Sequence, residues 1–244
     1  MNIKFILYES DQLSIKQKSE ILNLFDSTFS NSLSIKMFDW KYINNPFGNS
    51  LHLLGYFENE LVLNRSFWKV NNIKNSLYQC VDTCVSPRIQ GKGVFKASQL
   101  FLEENHKNLR YYNLPNKISR PVYLKLGWRI IEKTKIKLTV PFLLKNHNIS
   151  FNDNEINWRY NLHPNKTYYK IKQGKGYIIC FLKHNFLPIA LGYTRLKPDL
   201  KTIFSPLVFS YDKNILGFSI PKKENIIITK NNNEKVSFYN FDMF

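Results

Sequence analysis

The most informative stretch of this chain is SPRIQGKGVFKASQL, which runs from Ser86 to Leu100. The preceding residues, LYQCVDTCV, predict a β-strand, and the apolar residues from Val94 to about Lys107 return at helical spacing. The first amides of a helix lack partners within the helix and favour an anion. A side chain at Gly91 or Gly93 would keep a pyrophosphate away from the backbone. This stretch therefore predicts a phosphate-binding loop.

The same four letters, QGKG, occur again at Gln173 to Gly176. There an alternating segment, YYKIK, comes before the glycines, and an apolar run, YIICFL, follows them. Two strand-like segments around a short glycine turn are typical of a β-hairpin. The second copy is therefore predicted to be a turn at Gly174-Lys175-Gly176 and not a phosphate loop.

Composition places the chain among globular proteins. Its 244 residues are 43% hydrophobic and 15% aromatic, which excludes a disordered chain. The three cysteines, Cys80, Cys84 and Cys180, are too few and odd in number for a secreted disulfide framework, so we expect a cytoplasmic protein. Four residues of strand span about 13 Å, so Cys80 and Cys84 are too far apart to share a metal. We expect no metal, no leader segment and no membrane span.

The charge balance is strongly basic, with 35 Lys+Arg against 18 Asp+Glu and a formal net charge of +17. Such a surface attracts polyanions, including nucleic acid, anionic lipid and phosphate-rich small ligands. The lysines are scattered along the chain and are not gathered on one helix, so an ordinary solvated surface is an equally good interpretation. The charge alone does not choose among these partners.

The first half has a distinctive order of predicted elements. Ser14 and Gln17 form a capping-box pattern before an amphipathic helix, and a second short helix stops before Pro46. Two alternating segments meet across residues 58–60 as a hairpin, and the strand before the glycine loop follows. With the later segments, the predicted order is β-α-α-β-β-β-α-β-α-β.

An internal repeat divides the chain. DWKYINNP at Asp39 to Pro46 and NWRYNLHP at Asn157 to Pro164 share the pattern W-[K/R]-Y-x-x-x-P, 118 residues apart. By the same offset, the second QGKG corresponds to the hairpin of the first half, and the first QGKG corresponds to the region of Val208. The repeat predicts two α+β copies of one fold, residues 1–140 and 141–244, with mixed, mostly antiparallel sheets flanked by helices. The second copy would have lost its phosphate loop.

Two motifs in the first half carry a family resemblance. RIQGKG at Arg88 to Gly93 resembles the R/Q-x-x-G-x-G/A loop of the GNAT superfamily of N-acetyltransferases, and YLKLGW at Tyr123 to Trp128 resembles its later Y-x-K-x-G-[F/W] segment. LPNKIS, just before, is similar to an Asn-bearing turn of that superfamily. With the W-[K/R]-Y repeat and the ending SFYNFDMF, the chain resembles tandem-GNAT sugar N-acyltransferases of bacterial surface-polysaccharide loci.

The resemblance implies an acyl-CoA site in the first half, for acetyl-CoA or another short-chain acyl-CoA. The main-chain amides from Gln90 to Val94 would hold the pyrophosphate. Val85 would pair with pantetheine and donate to the developing oxyanion. Arg88 and Lys92 would lie beside the pyrophosphate, with Gly91 and Gly93 in the loop itself. Asn116 and Ser119 would lie along the pantetheine arm. Tyr123 would protonate the departing thiolate, and the alternative is that it is an ordinary core tyrosine.

The general base and the acceptor site are less well specified by the sequence. The candidate bases are Asp82, His52 and His163, and water is another candidate. The alternative for Asp82 is a strand-edge cap, and His52 is expected to be a core histidine. His163, the counterpart of Asn45 in the repeat, is also a candidate for substrate binding at the face between the two halves. The candidates that line the acceptor site are Trp40, Tyr42 and Phe47, for which core packing is the alternative, and Arg65, which would contact an acceptor phosphate.

The resemblance implies transfer of an acyl group to the amine of a nucleotide-linked amino sugar, such as a 3-amino-3,6-dideoxyhexose on dTDP. Such a product would belong to O-antigen or capsule biosynthesis. Two alternatives stay open: a peptide-directed or aminoacyl-tRNA-directed transferase, and a CoA-binding module without catalysis. Nucleic acid is not the expected partner. The sequence leaves monomer and dimer open, and gives the second half either an acceptor-site role or a structural one.

Overall fold

The computed structural model describes residues 2–29, 33–70, 76–146, 152–211 and 216–230. The elements up to the middle of the chain are β1 Lys4–Glu9, α1 Ile15–Thr28, α2 Ile35–Phe38, β2 Leu51–Phe57, β3 Glu60–Lys69, β4 Leu77–Val85, α3 Val94–Asn105, β5 Arg110–Asn113, α4 Arg120–Lys125 and β6 Arg129–Thr139. The later elements are α5 Asp153–Ile156, β7 Tyr168–Gln173, β8 Gly176–Lys183, β9 Leu187–Thr194, β10 Lys201–Thr202, β11 Val208–Ser210 and β12 Phe218–Lys230.

The predicted order of the first half, β-α-α-β-β-β-α-β-α-β, is confirmed. The capping box at the start of α1 is also present. The Ser14 hydroxyl oxygen accepts a hydrogen bond from the Gln17 amide at 3.2 Å, and the Ser14 amide donates to the Gln17 side chain at 2.9 Å. These reciprocal bonds satisfy two amides at the helix start that would otherwise lack partners.

Contacts divide the chain into two compact units. The first contains the residues up to Ile131 and those of β12 from Ile227, and the second contains Glu132–Ile226. The chain leaves the first unit within β6 and re-enters it within β12. The functional roles predicted for residues 1–140 and 141–244 stay predictions.

The first unit contains a mixed sheet in the order β1-β2-β3-β4-β5. Its strands pair antiparallel except for β4 and β5, which are parallel from Leu77 to Gln79. The end of β12 adds an antiparallel strand next to β5, where Ile228 lies opposite Asn113. The helices α1 and α3 come from the segments whose apolar residues recur at helical spacing.

The second unit repeats this pairing pattern with different strands except at its outer edge, where β10 is parallel to β7 whereas β1 is antiparallel to β2. Its order is β10-β7-β8-β9-β11-β6, in which β7, β8 and β9 are antiparallel and β9 is parallel to β11. The antiparallel neighbour of β11 is β6, a strand from the middle of the chain, whereas the corresponding neighbour of β5 is β12 from near its end. The α+β fold with two tandem lobes is therefore confirmed.

Both W-[K/R]-Y segments form the same local structure. Asp39–Ile43 and Asn157–Asn161 are single π-helical turns, and each continues a four-residue α-helix. We call them the first and second π-turns. The three central residues of each turn are buried: Trp40, Lys41 and Tyr42 in the first, and Trp158, Arg159 and Tyr160 in the second. The sequence repeat is therefore a structural repeat.

The second QGKG is a hairpin turn, as predicted, and joins β7 to β8. Gly174 has a φ of +56° there, and the corresponding turn between β2 and β3 uses Glu58 and Asn59 at positive φ. The expectation that the first QGKG corresponds to the region of Val208 is wrong. β4 corresponds to β9 by its pairing, so the counterpart of the loop is Arg195–Leu200, which contains no helix. The offset already fails before the loop: the β8–β9 hairpin is shorter than its counterpart β3–β4, so β9 begins at Leu187, whereas a constant offset places the counterpart of Leu77 at Arg195.

The remaining sequence features concern the chain ending, the cysteines, metal ligands and membrane spans. The ending SFYNFDMF lies outside the described residues. Cys80, Cys84 and Cys180 are free thiols in the interior. In the described part of the chain, no three His, Cys, Asp or Glu side chains come together as metal ligands. None of the helices described here combines the length and the hydropathy that a membrane-spanning helix requires.

Candidate active site

The glycine loop begins where the central strand of the first unit ends. After β4, residues Pro87–Ile89 form one 3₁₀ turn, and α3 starts at Val94. Gly91 and Gly93 have φ values of +77° and +80°, a left-handed backbone that glycine adopts without strain. A Cβ added to either glycine would meet no atom of the described residues within 4 Å, so the loop faces open space. Both the conformation and the exposure match what a phosphate loop requires.

The start of α3 supplies the polar groups of this loop. Gly93 is the N-cap residue, and its carbonyl oxygen accepts the first helical hydrogen bond, from the Ala97 amide at 2.9 Å. The amides from Val94 onwards in the first turn have no carbonyl acceptor within the helix. Because none of the described side chains caps the helix here, this positive end is directed at the open space beside the glycines. An anion bound there would be stabilised by these amides.

The charged and amide side chains of the loop make specific contacts of their own. Arg88 forms an ion pair with Glu60, with 2.5 Å between Nη2 and Oε2, and both side chains are about half exposed. Gln90 lies at the loop surface and donates from Nε2 to the Val85 carbonyl oxygen at 2.9 Å. Lys92 is exposed. Arg88 would therefore have to exchange Glu60 for a bound phosphate, whereas Lys92 is directly accessible.

Among the described residues, no strand pairs with β4 just before the loop on the side of β5, so the edge of β4 is open there. The Ser86 amide donates to Val62 of β3 at 2.9 Å, and successive amides of a strand point to opposite sides. The Val85 amide therefore points away from β3, towards the side on which β5 pairs with β4. That pairing covers Leu77 to Gln79, so the end of β4 diverges from β5. An extended ligand chain can take the place of a strand at such an edge.

Tyr123 lies in α4, beside this edge. Its side chain is 4% exposed, and its ring packs edge-on against Phe95 and Trp128 at centroid distances of 5.1 and 4.7 Å. Burial, the largest effect, raises the pKa of Tyr123 well above its ordinary value, although hydrogen bonding with Thr83 and Asn113 lowers it in part. Thr83 belongs to β4 and Asn113 ends β5. The phenol is therefore located where the two strands diverge, and it keeps its proton at neutral pH.

Asn116 and Ser119 organise the start of α4. The Asn116 side-chain oxygen accepts hydrogen bonds from the amides of Ile118 and Ser119 at 3.0 and 2.8 Å. Ser119 is the N-cap residue of α4, and its carbonyl oxygen accepts from the Tyr123 amide at 3.2 Å. Both residues therefore fix the position of the helix that carries Tyr123, and contact of either with pantetheine stays a prediction.

Asp82 lies at a β-bulge in β4. The register with β3 shifts between Asn64 and Ser66, and Asp82 has a φ of +46°. Its carboxylate accepts hydrogen bonds from Lys41 Nζ at 3.0 Å and from the Tyr42 hydroxyl. Burial, followed by the negative charge of Asp82, raises the pKa of Tyr42 well above its ordinary value. The carboxylate is thus tied to the first π-turn, and its role as a base stays a prediction.

A buried histidine completes this polar cluster. His52 is fully buried, and its Nδ1 lies 3.1 Å from the hydroxyl oxygen of Ser66, next to the rings of Phe38 and Tyr42. Burial, the largest effect, lowers the pKa of His52 to about 4. His52 is therefore neutral at physiological pH and, as predicted from the sequence, belongs to the core.

The residues predicted to line the acceptor site are buried in the first unit. Trp40, Tyr42 and Phe47 are 5%, 1% and 4% exposed. Arg65 is 1% exposed; it donates to Ser98 and Gln99 of α3 at 3.0 and 3.1 Å. Core packing, the alternative given for the aromatic residues, accounts for their positions. The described contacts place the guanidinium of Arg65 inside the protein, away from any acceptor phosphate at the surface.

His163 has the same local role as its counterpart in the repeat. Its Nδ1 accepts hydrogen bonds from the amides of Asn165 and Lys166 at 3.2 and 3.1 Å. The side-chain oxygen of Asn45 similarly accepts from the amide two residues later, that of Phe47, at 3.0 Å. Both side chains stabilise the turn after a π-turn, and this shared role explains why they occupy equivalent positions.

Sequence reasoning missed two lysines at this site, Lys41 and Lys230. Lys41 lies within the repeat, between two aromatic residues that are themselves candidates for the acceptor site. Lys230 lies at the end of β12 and donates to the carbonyl oxygen of Leu126 at 2.6 Å and to the carboxylate of Glu103. A lysine flanked by aromatic residues in a repeated motif is a signal that could have found the first. Nothing in the sequence points to the second.

Comparisons with known proteins support the fold. The sequence matches no protein-family model, and it matches no curated protein. Solved structures similar to the chain include a conserved Enterococcus faecalis protein of unknown function (TM-score 0.56, 10% identity) and GCN5-related N-acetyltransferases from Anabaena variabilis (0.55, 11%) and Kribbella flavida (0.52, 10%). Each alignment covers 93% of this chain and 71–72% of the other. The chain therefore has a GNAT-type fold.

Proposed function

We propose that the chain is an acyl-CoA-dependent N-acyltransferase whose site lies in the first unit. The observation that carries this proposal is the loop between β4 and α3. In this loop, Gly91 and Gly93 have a left-handed backbone and face open space, and α3 starts next to the unpaired edge of β4. The GNAT-type fold supports it, because this is the loop whose sequence resembles the CoA loop of that superfamily.

Different groups in and beside the loop bind different parts of acyl-CoA. The main-chain amides from Gln90 to Val94 hold the diphosphate, apart from that of Lys92, which donates to the Ile89 carbonyl oxygen at 3.3 Å. The side chain of Lys92 adds a positive charge at the rim. The glycines Gly91 and Gly93 let the diphosphate approach the main chain. The open edge of β4 at Val85 accepts the pantetheine arm by strand-like pairing. Acetyl-CoA or another short-chain acyl-CoA, once bound, supplies an activated thioester.

The side chains near the diverging strands then assist the transfer. The acceptor amine forms a bond to the acyl carbon, and the bond from that carbon to sulfur breaks. The Val85 amide stabilises the negative charge that develops on the acyl oxygen. Tyr123 donates its phenolic proton to the departing sulfur, a role for which its raised pKa keeps it protonated. The proton of the amine passes to Asp82, the predicted base, or to water.

The acceptor that we propose is the amino group of a nucleotide-linked amino sugar, such as a 3-amino-3,6-dideoxyhexose on dTDP, for a surface polysaccharide. The support for this class is the resemblance carried by the W-[K/R]-Y repeat and the two motifs of the first half. The net charge of +17 suits two ligands that each contain a diphosphate. The second unit would contribute to the acceptor site or have a structural role.

One assay tests both the acyl-transfer reaction and the class of acceptor that we propose. Purified protein is incubated with acetyl-CoA and a panel of nucleotide amino sugars, amino-terminal peptides and aminoacyl-tRNA, and the release of free thiol is recorded. We expect thiol release with a nucleotide amino sugar. If free thiol is released only with a peptide or an aminoacyl-tRNA, the acceptor belongs to another class than the one proposed. No release with any acceptor, together with no binding of CoA at millimolar concentration, would overturn the enzymatic proposal.

A further inference from the structure

Asp82 has an unusual backbone for a strand residue. Its φ of +46° lies in the left-handed region, which is unfavourable for residues other than glycine. Among the described residues, the other non-glycine residues with positive φ are Glu58, Asn59, His184 and Asn185, all in hairpin turns. Asp82 instead lies inside β4. Such a conformation persists only when the surrounding contacts hold it.

The contacts that hold Asp82 involve both its side chain and its main chain. One carboxylate oxygen, Oδ2, accepts from Lys41 Nζ at 3.0 Å and from the Tyr42 hydroxyl, and both donors belong to the first π-turn. The carbonyl oxygen accepts from Asn64 Nδ2 at 3.0 Å. The side chains of Lys41 and Asp82 are only 9% and 10% exposed. Water therefore competes little with these bonds.

The bulge at Asp82 lies at the start of the open edge. Ser66 lies opposite Val81, and Asn64 lies opposite Cys84, so Asp82 and Thr83 together face the single residue Arg65. An extra residue of this kind bends a strand and increases its twist. The pairing of β4 with β5 ends at Gln79, so the bulge and the residues after it, Thr83 to Val85, lie on the part of β4 that β5 does not pair with. The direction of this edge therefore depends on the conformation of Asp82.

The second unit provides an internal comparison. Its corresponding bulge lies in β9, where Gly192 lies opposite Ile179 and Ala190 lies opposite Cys180, so that Leu191 is the extra residue. The second π-turn is buried there as in the first unit, but the residue at the bulge has no carboxylate. The carboxylate bonded to a π-turn thus occurs in the unit that has the glycine loop, and leucine replaces it in the unit without one.

We propose that Asp82 is a positioning residue, anchored by Lys41 and Tyr42, that sets the direction of the β4 edge along which the pantetheine arm binds. This inference rests on the proposed function, since it assigns a ligand to that edge. The W-[K/R]-Y segment of the first unit then has a defined role, because its lysine and tyrosine hold the bulge. Under this inference Asp82 positions the strand edge and is not the base, since Oδ2 accepts from two donors, and water takes the proton of the amine.

The test compares two ligands in four variants. Calorimetry measures the binding of CoA and of 3′-phospho-ADP, which has the diphosphate but lacks the pantetheine arm. The variants are Lys41→Met, Tyr42→Phe, Asp82→Asn and, as a matched control, Lys36→Met in the exposed part of α2. Tyr42→Phe removes one hydroxyl and keeps the ion pair between Lys41 and Asp82, so it provides a folded variant if Lys41→Met unfolds. Thermal unfolding is recorded for each.

We expect the affinity for CoA to fall about tenfold in Lys41→Met and in Asp82→Asn, and by a smaller factor in Tyr42→Phe, while 3′-phospho-ADP binds as tightly as to the wild type. Lys36→Met should bind both ligands normally. If Tyr42→Phe and Asp82→Asn bind CoA normally and Asp82→Asn loses only turnover, then Asp82 is a base and the inference is wrong. Equal losses for both ligands would also contradict it.

A failure of the proposed function would look different. In that case the wild-type protein itself would not bind CoA at millimolar concentration, and no variant would need to be measured. If the wild type binds CoA and the variants do not discriminate between CoA and 3′-phospho-ADP, the CoA site stands and the anchoring role of Lys41 and Tyr42 is lost. The two results are therefore distinguishable in one set of titrations.

Discussion

The ammonium group of Lys230 lies 2.6 Å from the main-chain oxygen of Leu126, 104 residues earlier in the chain. Leu126 is the C-cap residue of α4, the helix that carries Tyr123, and cations at a helix C-terminus are favourable. The same ammonium donates to the Glu103 carboxylate of α3, the helix that begins at the glycine loop. Lys230 thus links the two helices that flank the candidate site.

Replacing Lys230 with methionine should therefore weaken both folding and activity. We expect Lys230→Met to lose about 1–2 kcal/mol of unfolding free energy, because the carbonyl of Leu126 and the Glu103 carboxylate lose a partly buried donor. Turnover should fall with it, since α4 is less firmly held. Urea unfolding and steady-state kinetics measure the two effects. Lys172→Met, an exposed lysine of β7, is the control, and equal stability of the two variants would contradict the linking role.

Tyr123→Phe should lower turnover without changing the affinity for CoA. The ring stays packed against Phe95 and Trp128, so we expect an unchanged affinity for CoA. The unfolding free energy should fall by only about 1 kcal/mol, through the lost hydrogen bonds with Thr83 and Asn113. Turnover with an amine acceptor should fall about 100-fold or more, as is typical when a general acid is removed. Tyr8→Phe, in β1, is the matched control. Unchanged turnover in Tyr123→Phe would make this residue an ordinary core tyrosine.

The buried His52 should make stability depend on pH. Its pKa is lowered to about 4, whereas in the unfolded chain it has its ordinary value near 6.5, so the unfolded state binds the proton more readily. Stability is therefore complete above about pH 6.5 and decreases as the pH falls towards 4, with a loss of about 2–3 kcal/mol by pH 4.5. Unfolding in urea at several pH values measures it.

His52→Gln should remove most of this slope, because glutamine does not titrate. The exposed His184 is the control, and His184→Asn should keep the pH dependence of the wild type. The account of His52 would be wrong if the two variants showed the same slope between pH 7 and pH 4.5.

The second QGKG gives a prediction about stability alone. A Cβ at Gly176 would overlap the hydroxyl of Tyr193 and the carbonyl oxygen of Thr194, whereas a Cβ at Gly174 would meet no atom within 4 Å. We expect Gly176→Ala to cost about 2–3 kcal/mol of unfolding free energy through overpacking. Gly174→Ala should cost about 1 kcal/mol, because its φ is positive. Similar costs for both would show that Gly176 is not closely packed.

Much of the fold could be predicted because it depends on local patterns. Period-2 and helical spacing identified the order of elements, and the setting of each QGKG separated a helix-start loop from a hairpin turn. Each of these sequence patterns is contained within a short stretch of the chain. The strand pairing could not be predicted in the same way: β12, from near the end of the chain, pairs with β5, and β6 pairs with β11. No local pattern specifies such a long-range partner.

The candidate site was predictable to a similar extent. The glycine loop and Tyr123 belong to contiguous motifs, so they were found. The bulge at Asp82 was not, because positive φ is expected at glycine and the sequence has aspartate there. Its partners Lys41 and Tyr42 are about 40 residues away. Trp40, Tyr42 and Phe47 illustrate the opposite problem, since aromatic residues suit a ligand ring and a core equally well.

The most direct test of the account is the titration of CoA into alanine variants of the two QGKG copies. Gly91→Ala and Gly93→Ala each place a methyl group in the open space of the loop, and Gly174→Ala introduces the same backbone strain in a hairpin turn of the second unit. We predict that the loop variants weaken CoA binding more than about tenfold and that Gly174→Ala leaves it unchanged. Normal CoA affinity in both loop variants would contradict the claim that these amides bind the diphosphate.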